Sequence, residues 1–344
     1  MAYTTINKST DYFRTKLYAG NASNRSITFD ESTNMQPDLV WIKSRTNAEW
    51  HHLVDAVRGT TSNIYSNSTN AADTGSDRVT AFGTNGFSLG TNDGVNNSSE
   101  TFVGWNWKAG GGQGSSNTDG SINTAYTSAN TTAGFSISTY TGTGSTATVG
   151  HGLGVAPAVV LIKVLSTANV WCMYHKSAGA THYLQFDNSG ATDNNTYWND
   201  TAPTNSVFTI GTASGVNTSG ASYVAYCWAE KPGFFKAGVY KGNGNANGPF
   251  IYTGFKPSMF FLKADRDEAW YLWDNKRLGY NVDNNQIYPS LSAAEATTDG
   301  VDILSNGVKI RYASAGWNNS GTSNYYLAWG QSLVGSNNVP CTAR

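Results

Sequence analysis

Charge is scarce in this chain. Of 344 residues, 13% are Asp, Glu, Lys or Arg, against roughly 25% in an ordinary soluble protein. The 22 basic and 23 acidic residues leave a formal net charge of −1, so no global field draws the chain to nucleic acid or to an anionic membrane surface. No apolar run reaches the roughly 18 residues of a membrane-spanning helix, and residues 1–10 lack the apolar stretch of a signal peptide. Cysteine is also rare. Cys172, Cys227 and Cys341 are odd in number and show no CxxC spacing, which excludes a disulfide framework and a zinc-finger pattern. They read as buried thiols acting as small hydrophobes, with a Cys172–Cys227 bridge as the alternative. Long stretches of Ala, Leu, Glu and Lys are nearly absent. That excludes a helical bundle and disfavours a doubly wound α/β enzyme.

What the chain does contain points the other way. Aromatic residues make up 13%, with 11 Trp and 19 Tyr, which no disordered composition shows. The 37 Gly follow no triplet register, so the chain is not collagen-like. Thr, Tyr and Trp favour pleated strands, and the abundant Asn favours turns. The expectation is an all-β protein with many polar loops.

Self-comparison organises the chain. Pro37–Lys43, Pro157–Lys163 and Pro257–Lys263 are three versions of one strand-like run. A Tyr-x-Gly turn precedes each, at Tyr18/Gly20, Tyr140/Gly142 and Tyr240/Gly242, and a Trp follows each, at Trp50, Trp171 and Trp270. Asn96, Asn217 and Asn318 each open an Asn-x-Ser step that leads to Trp107, Trp228 and Trp329. The spacing predicts three tandem β-sandwich units, jelly-roll or lectin-like, of about 100 residues each. They span residues 12–108, 134–230 and 234–333. An N-terminal arm (1–11), a Gly/Ser/Thr/Asn-rich linker (109–133) that reads as loosely packed, and a C-terminal tail (334–344) complete the chain. The very short connection near Pro232 predicts a more fixed orientation between units two and three than between one and two. The continuous apolar runs 39–42, 159–162 and 259–262 suit strands covered on both faces. The Lys after each run is expected to return the chain to solvent. Residues 49–57 fit two helical turns or a strand, and residues 292–297 fit one helical turn.

Chemistry-bearing constellations are sparse. His51 and His52 beside Asp55 could suggest a metal or a general base, but the other units carry Cys172-Met173 and Tyr271-Leu272 near that place. Loops 91–94 and 193–200 offer oxygen ligands without EF-hand spacing, and turn formation explains them equally well. Asp265, Asp267 and Glu268 cluster in one unit alone. Gly-rich stretches lack the Walker ending. No metal or cofactor is expected. The repeated Trp50, Trp107, Trp171, Trp228, Trp270 and Trp329 read as core, because matched positions in divergent repeats are packing positions. Loop aromatics without counterparts, Tyr197, Trp198 and Trp317, are the candidates for ligand contact, with sugar rings the natural partner for aromatic faces and Asn-rich loops. Tyr3 and Ile6 in the arm are docking candidates.

Several stretches, namely residues 2–13, 36–43, 85–90, 104–110, 248–257, 273–277 and 304–307, resemble repeat-containing virion structural or tail-fibre proteins of marine and cyanobacterial tailed phages. The resemblance covers nearly the whole chain and brings no established catalytic residues. It implies a non-enzymatic virion protein, assembled in the host bacterial cytoplasm and exposed on the particle. The expected role is a tail-fibre or adhesin-type component in host attachment. Capsid decoration and glycan depolymerisation are the alternatives. The expected partners are other virion proteins of tail or capsid and host surface glycan, in a homo-oligomer with a trimer favoured.

Overall fold

The computed structural model describes residues 4–186, 190–277, 281 and 283–334. Tyr3, Cys341 and the tail beyond Val334 lie outside the described residues. The chain is all-β, and three inner antiparallel sheets share one strand order. The first runs Phe13–Ala19, Thr101–Trp107, Leu39–Ser44, His52–Asp55. The second contains Phe135–Thr141, Ser222–Trp228, Val159–Val164, Cys172–His175, with further strands at both edges. The third runs Phe235–Lys241, Ser323–Gln331, Lys256–Ala264, Trp270–Asp274. Their registers coincide: Leu39 faces Trp107, Val159 faces Trp228 and Met259 faces Trp329. An outer sheet accompanies each inner one, of three strands in the first unit, two in the second and four in the third, led by Arg25–Thr28, Ala147–Gly150 and Phe250–Tyr252.

Side chains on a strand alternate between faces, and here both faces are buried. Leu39 and Trp41 point into a core shared by all three units, as do Val159 and Leu161, and Met259 and Phe261. Val40 and Ile42 point into the first unit's own sandwich core. Val160 and Ile162 do so in the second, and Phe260 and Leu262 in the third. The apolar runs are continuous because each strand serves two cores. Each such side chain contributes about 1.5–3 kcal/mol by burial.

Trp107, Trp228 and Trp329 meet within the shared core, with ring centroids 6.3, 5.9 and 5.6 Å apart and edges turned to faces. Polar bonds then close the three units into a cycle. His51 Nε2 lies 3.1 Å from the Tyr288 carbonyl. Trp171 Nε1 donates to Tyr65 O at 2.8 Å, and Trp270 Nε1 to Gln185 O at 2.6 Å. A second set of bonds runs between the same units in the same sense. Tyr226 donates to Asp55 at 2.6 Å, and Trp105 Nε1 to Asp274 at 3.0 Å. Each aspartate also holds an arginine, Arg58 at 2.6 Å and Arg277 at 2.7 Å. The third position differs in a compensated way. Leu327, at the register of Trp105 and Tyr226, has no donor, and His175 stands where Asp55 and Asp274 stand. His175 Nε2 instead lies 3.3 Å from the Tyr326 carbonyl.

The turn landmarks also meet. The Tyr18 and Tyr140 hydroxyls donate to Val95 O and Val216 O at 2.8 and 2.7 Å, and Tyr240 donates to Trp317 O. The next residues, Asn96, Asn217 and Asn318, are fully buried. Each bonds one loop N–H and two loop carbonyls, as Asn96 does with Asn21 N, Ser23 O and Gly90 O. Gly20 lies so close to this turn that a Cβ there would sit 2.0 Å from Asn97 O.

Several expectations need correction. Segment 109–133 is not a loose linker. Gly111 N and Gly112 N donate to the Asp38 carboxylate at 3.0 and 2.7 Å, Tyr126–Asn130 adds a strand to the second sheet, and Ala109 and Ile122 are buried. The chain stays near Asp38 because its backbone amides satisfy a buried carboxylate. Units one and two are thus joined by a packed segment. The terminal lysines do not return to solvent. Lys43, Lys163 and Lys263 are fully buried, with Nζ donating to loop carbonyls such as Asn47 O, Asn169 O and Arg266 O at 2.8–3.0 Å. Residues 52–55 are strand, and no helix forms at 292–297. Cys172 and Cys227 are buried without a bridge between them. Ile6 is fully buried in the shared core, and Ser9 N donates to the Gln331 side chain at 2.6 Å. The arm is thus fastened to the third unit.

Replacing Trp228 by Ala is expected to cost about 3–5 kcal/mol, the usual range for a buried large aromatic, and chemical denaturation measures it. Ile6→Ala is expected to cost about 2–5 kcal/mol, where a free arm would give no change. Asp55→Ala is expected to cost about 3–5 kcal/mol, because Arg58 would remain buried without its partner.

Candidate functional site: an aromatic edge strand and its groove

The loop aromatics singled out from the sequence are not laid open for a ligand. Trp198 is 1% exposed and packs on Tyr174, and Trp317 is 4% exposed against Tyr271 and Trp273. Both sit in one-turn helices, Asn195–Trp198 and Ala315–Asn318, which tuck the indole under the loop. Tyr197 is half-buried and stacked on Tyr183 at 3.6 Å. Among the repeated tryptophans, Trp107, Trp171, Trp228, Trp270 and Trp329 are buried, but Trp50 is 41% exposed. The register explains the exception. His52 pairs with Ile42 as Cys172 pairs with Ile162, so His51, not Trp50, occupies the place of Trp171 and Trp270.

Several buried titratable groups take part in structural bonds. Trp41 Nε1 donates to His51 Nδ1 at 2.9 Å. An indole N–H only donates, so His51 is the neutral Nε2–H tautomer, and it donates to Tyr288 O. Burial holds its pKa well below the ordinary value, reinforced by the nearby Lys43 charge. Burial also lowers His52 and His175 to about 4 and depresses His151. Lys43 and Lys163 are lowered to about 8 by burial. The Asn-rich loops are accounted for by turns, since Asn92 and Asn194 cap their one-turn helices by accepting from Gly94 N and Thr196 N. Asp265 accepts from Ala191 N at 2.9 Å and from the Tyr325 hydroxyl at 3.2 Å. No group of His, Cys, Asp and Glu among the described residues is arranged to hold a metal.

The feature best placed for contact lies on the outer sheet of the third unit. Its edge strand Phe250–Tyr252 buries Ile251 and turns Phe250 and Tyr252 outward, 46% and 56% exposed. Residues two apart on a strand share a face, roughly 7 Å apart. The fold does not require aromatics there. Tyr252 pairs with Gly307 as Thr28 pairs with Gly86 in the first unit, and Gly150 with Val207 in the second. Phe250 likewise corresponds to Ser26 and Thr148. Beside Tyr252 runs a groove of about 210 Å³ lined by Glu230, Lys231, Pro232, Lys236, Tyr252 and Phe255. Lys236 Nζ donates to Tyr252 O at 2.9 Å and lies 5.3 Å from the Tyr252 ring centre. Sequence reasoning passed over this pair because alternation within three residues is too short a signal. The offset comparison that aligned the units would have exposed it.

The chain belongs to a family described as a domain of unknown function, DUF7483, whose model matches residues 8–332. No curated protein and no solved structure matches the chain.

The buried histidines set an acid limit. The unfolded chain protonates histidine near pH 6.5, whereas the folded chain resists until about pH 4 at His52 and His175. The histidine contribution to stability is therefore complete above pH 7 and is lost as pH drops through 6.5 toward 4. Each ring costs up to ~1.4 kcal/mol per pH unit. The melting temperature is expected to be level near neutrality and to fall steeply between about pH 6 and 4.5. A level profile down to pH 4.5 would mean that these rings are solvated.

Proposed function

We propose that this protein is a non-enzymatic structural component of a tailed-phage particle, exposed on its surface and acting in host attachment as a tail-fibre or adhesin-type part. The observation that carries the reading is the outward pair Phe250 and Tyr252. Two large rings stand in water at positions where the other two units carry Ser26, Thr28, Thr148 and Gly150. A rigid frame that spends His51, His175, Asp55 and Asp274 on bonds between units, while one face displays exposed aromatics, suits recognition better than turnover. The sequence resemblance to virion proteins supplies the setting, and other virion proteins and host surface glycan are the partners it implies.

Immunogold labelling of intact particles tests the reading. Gold at the tail tip or fibres is expected. Gold spread over the head would replace attachment with capsid decoration, and unlabelled particles would overturn the virion assignment. Incubation of the purified protein with host surface polysaccharide is expected to release no reducing ends. Their release would establish a depolymerase.

A further inference from the structure

We propose that the groove beside Tyr252 is a binding subsite for one anionic sugar residue, a pyranose bearing a carboxylate, within a surface polysaccharide. The inference rests on the attachment reading and assigns its ligand chemistry.

Three observations converge on it. The first is the exposed Tyr252 ring, an aromatic face of the kind on which the C–H face of a pyranose stacks. The second is charge. Lys231 and Lys236 line the groove, and among the described residues neither forms an ion pair. The groove's carboxylate, Glu230, is already engaged by Lys176 at 2.5 Å and by Ala237 N at 3.1 Å. The groove therefore sets the Lys236 ammonium against the Tyr252 ring, with Lys231 in its wall and the Lys231 stem beside Gly134. Lys236 uses one of its three donors on Tyr252 O and keeps the others for a ligand. Lys231 is partly desolvated, and burial lowers its pKa, so an anion beside it would recover interaction that water no longer supplies. The third is size. About 210 Å³ is room for a single sugar ring.

A neutral sugar would use the ring but the charge of neither lysine, so the geometry selects for an acid. The corresponding positions Thr28 and Gly150 carry no ring, so a chain holds one such subsite and not three. Single-subsite binding is weak, and many copies on a particle gripping one polymer raise it by avidity.

Titration calorimetry with oligogalacturonate, oligomannuronate and an oligosialic acid, against neutral maltohexaose, tests the proposal. At least one acidic probe is expected to bind with a Kd on the order of a millimolar or tighter, and the neutral probe at least about tenfold more weakly, a 1.4 kcal/mol difference. Rising salt is expected to weaken the acidic binding by screening. Tyr252→Ala and the double substitution Lys231→Gln, Lys236→Gln are each expected to weaken it tenfold or more. Tyr126→Ala, at an exposed aromatic elsewhere (40% exposed), is expected to leave it unchanged. Thermal melts of all variants are expected to match the parent, since the altered side chains lie at the surface. Equal binding of the neutral probe, no binding of any acidic probe, or unchanged binding in the Tyr252 and lysine variants would each overturn the subsite. Any of these results together with gold on the tail would remove the subsite and leave the attachment reading intact. Acidic binding without particle labelling would do the reverse.

Discussion

The side chains of His51, Trp171 and Trp270 each reach a backbone carbonyl of a neighbouring unit, at Tyr288, Tyr65 and Gln185. These three bonds close a cycle, so no unit can leave without exposing the inward faces of the other two. Those faces are the aromatic ones, centred on Trp107, Trp228 and Trp329. A sheet with one buried face is an ordinary sandwich half. A sheet with two buried faces depends on its neighbours, and the inner sheets here are of that kind. The buried lysines, the paired Asp–Arg clusters and the packed segment after Ala109 follow from the same constraint. Once the inner sheets are enclosed, the charged groups at their ends are held by partners inside the protein.

Much of this was legible in the sequence and some was not, for physical reasons. The all-β class followed from composition, and the doubly covered strands followed from the absence of alternation at 39–42, 159–162 and 259–262. Position along the chain was less informative about exposure. Trp50 was aligned with Trp171 and Trp270 by counting seven or eight residues from the preceding lysine, yet the hairpin has the same length in the first two units and is one residue shorter only in the third. Strand pairing puts His51 there and leaves Trp50 outside. Trp198 and Trp317 looked like loop aromatics because they lie between strands, but one-turn helices fold them inward. The polar, Gly-rich segment 109–133 has the composition of a flexible linker. Its amides are fixed by a single buried carboxylate, Asp38, a partner 71 or more positions away that composition cannot reveal. Ile6 shows the same limit, since an isolated apolar residue near a terminus reads as free until the core it fills is seen.

The distribution of groups also separates what the fold needs from what it leaves available. His51, His175, Asp55 and Asp274 are each committed to a bond between units. Phe250 and Tyr252 contribute little to either core and stand where other units manage with Ser26 and Thr28. Tyr126, Val239 and Tyr312 are exposed as well, but none of them borders a groove carrying two cations without ion-pair partners. The third unit therefore carries the difference in surface chemistry, on a frame whose stiffness comes from the shared core.

The central claim is that the three units form one cooperative body and not three beads on a chain. Differential scanning calorimetry tests it most directly, because a two-state unit has equal calorimetric and van't Hoff enthalpies. The account requires a single transition with that equality, and a core substitution such as Leu161→Ala should lower the whole transition without splitting it. Two or three resolved transitions, with the substitution moving only one of them, would show that the units fold independently and would contradict the shared core.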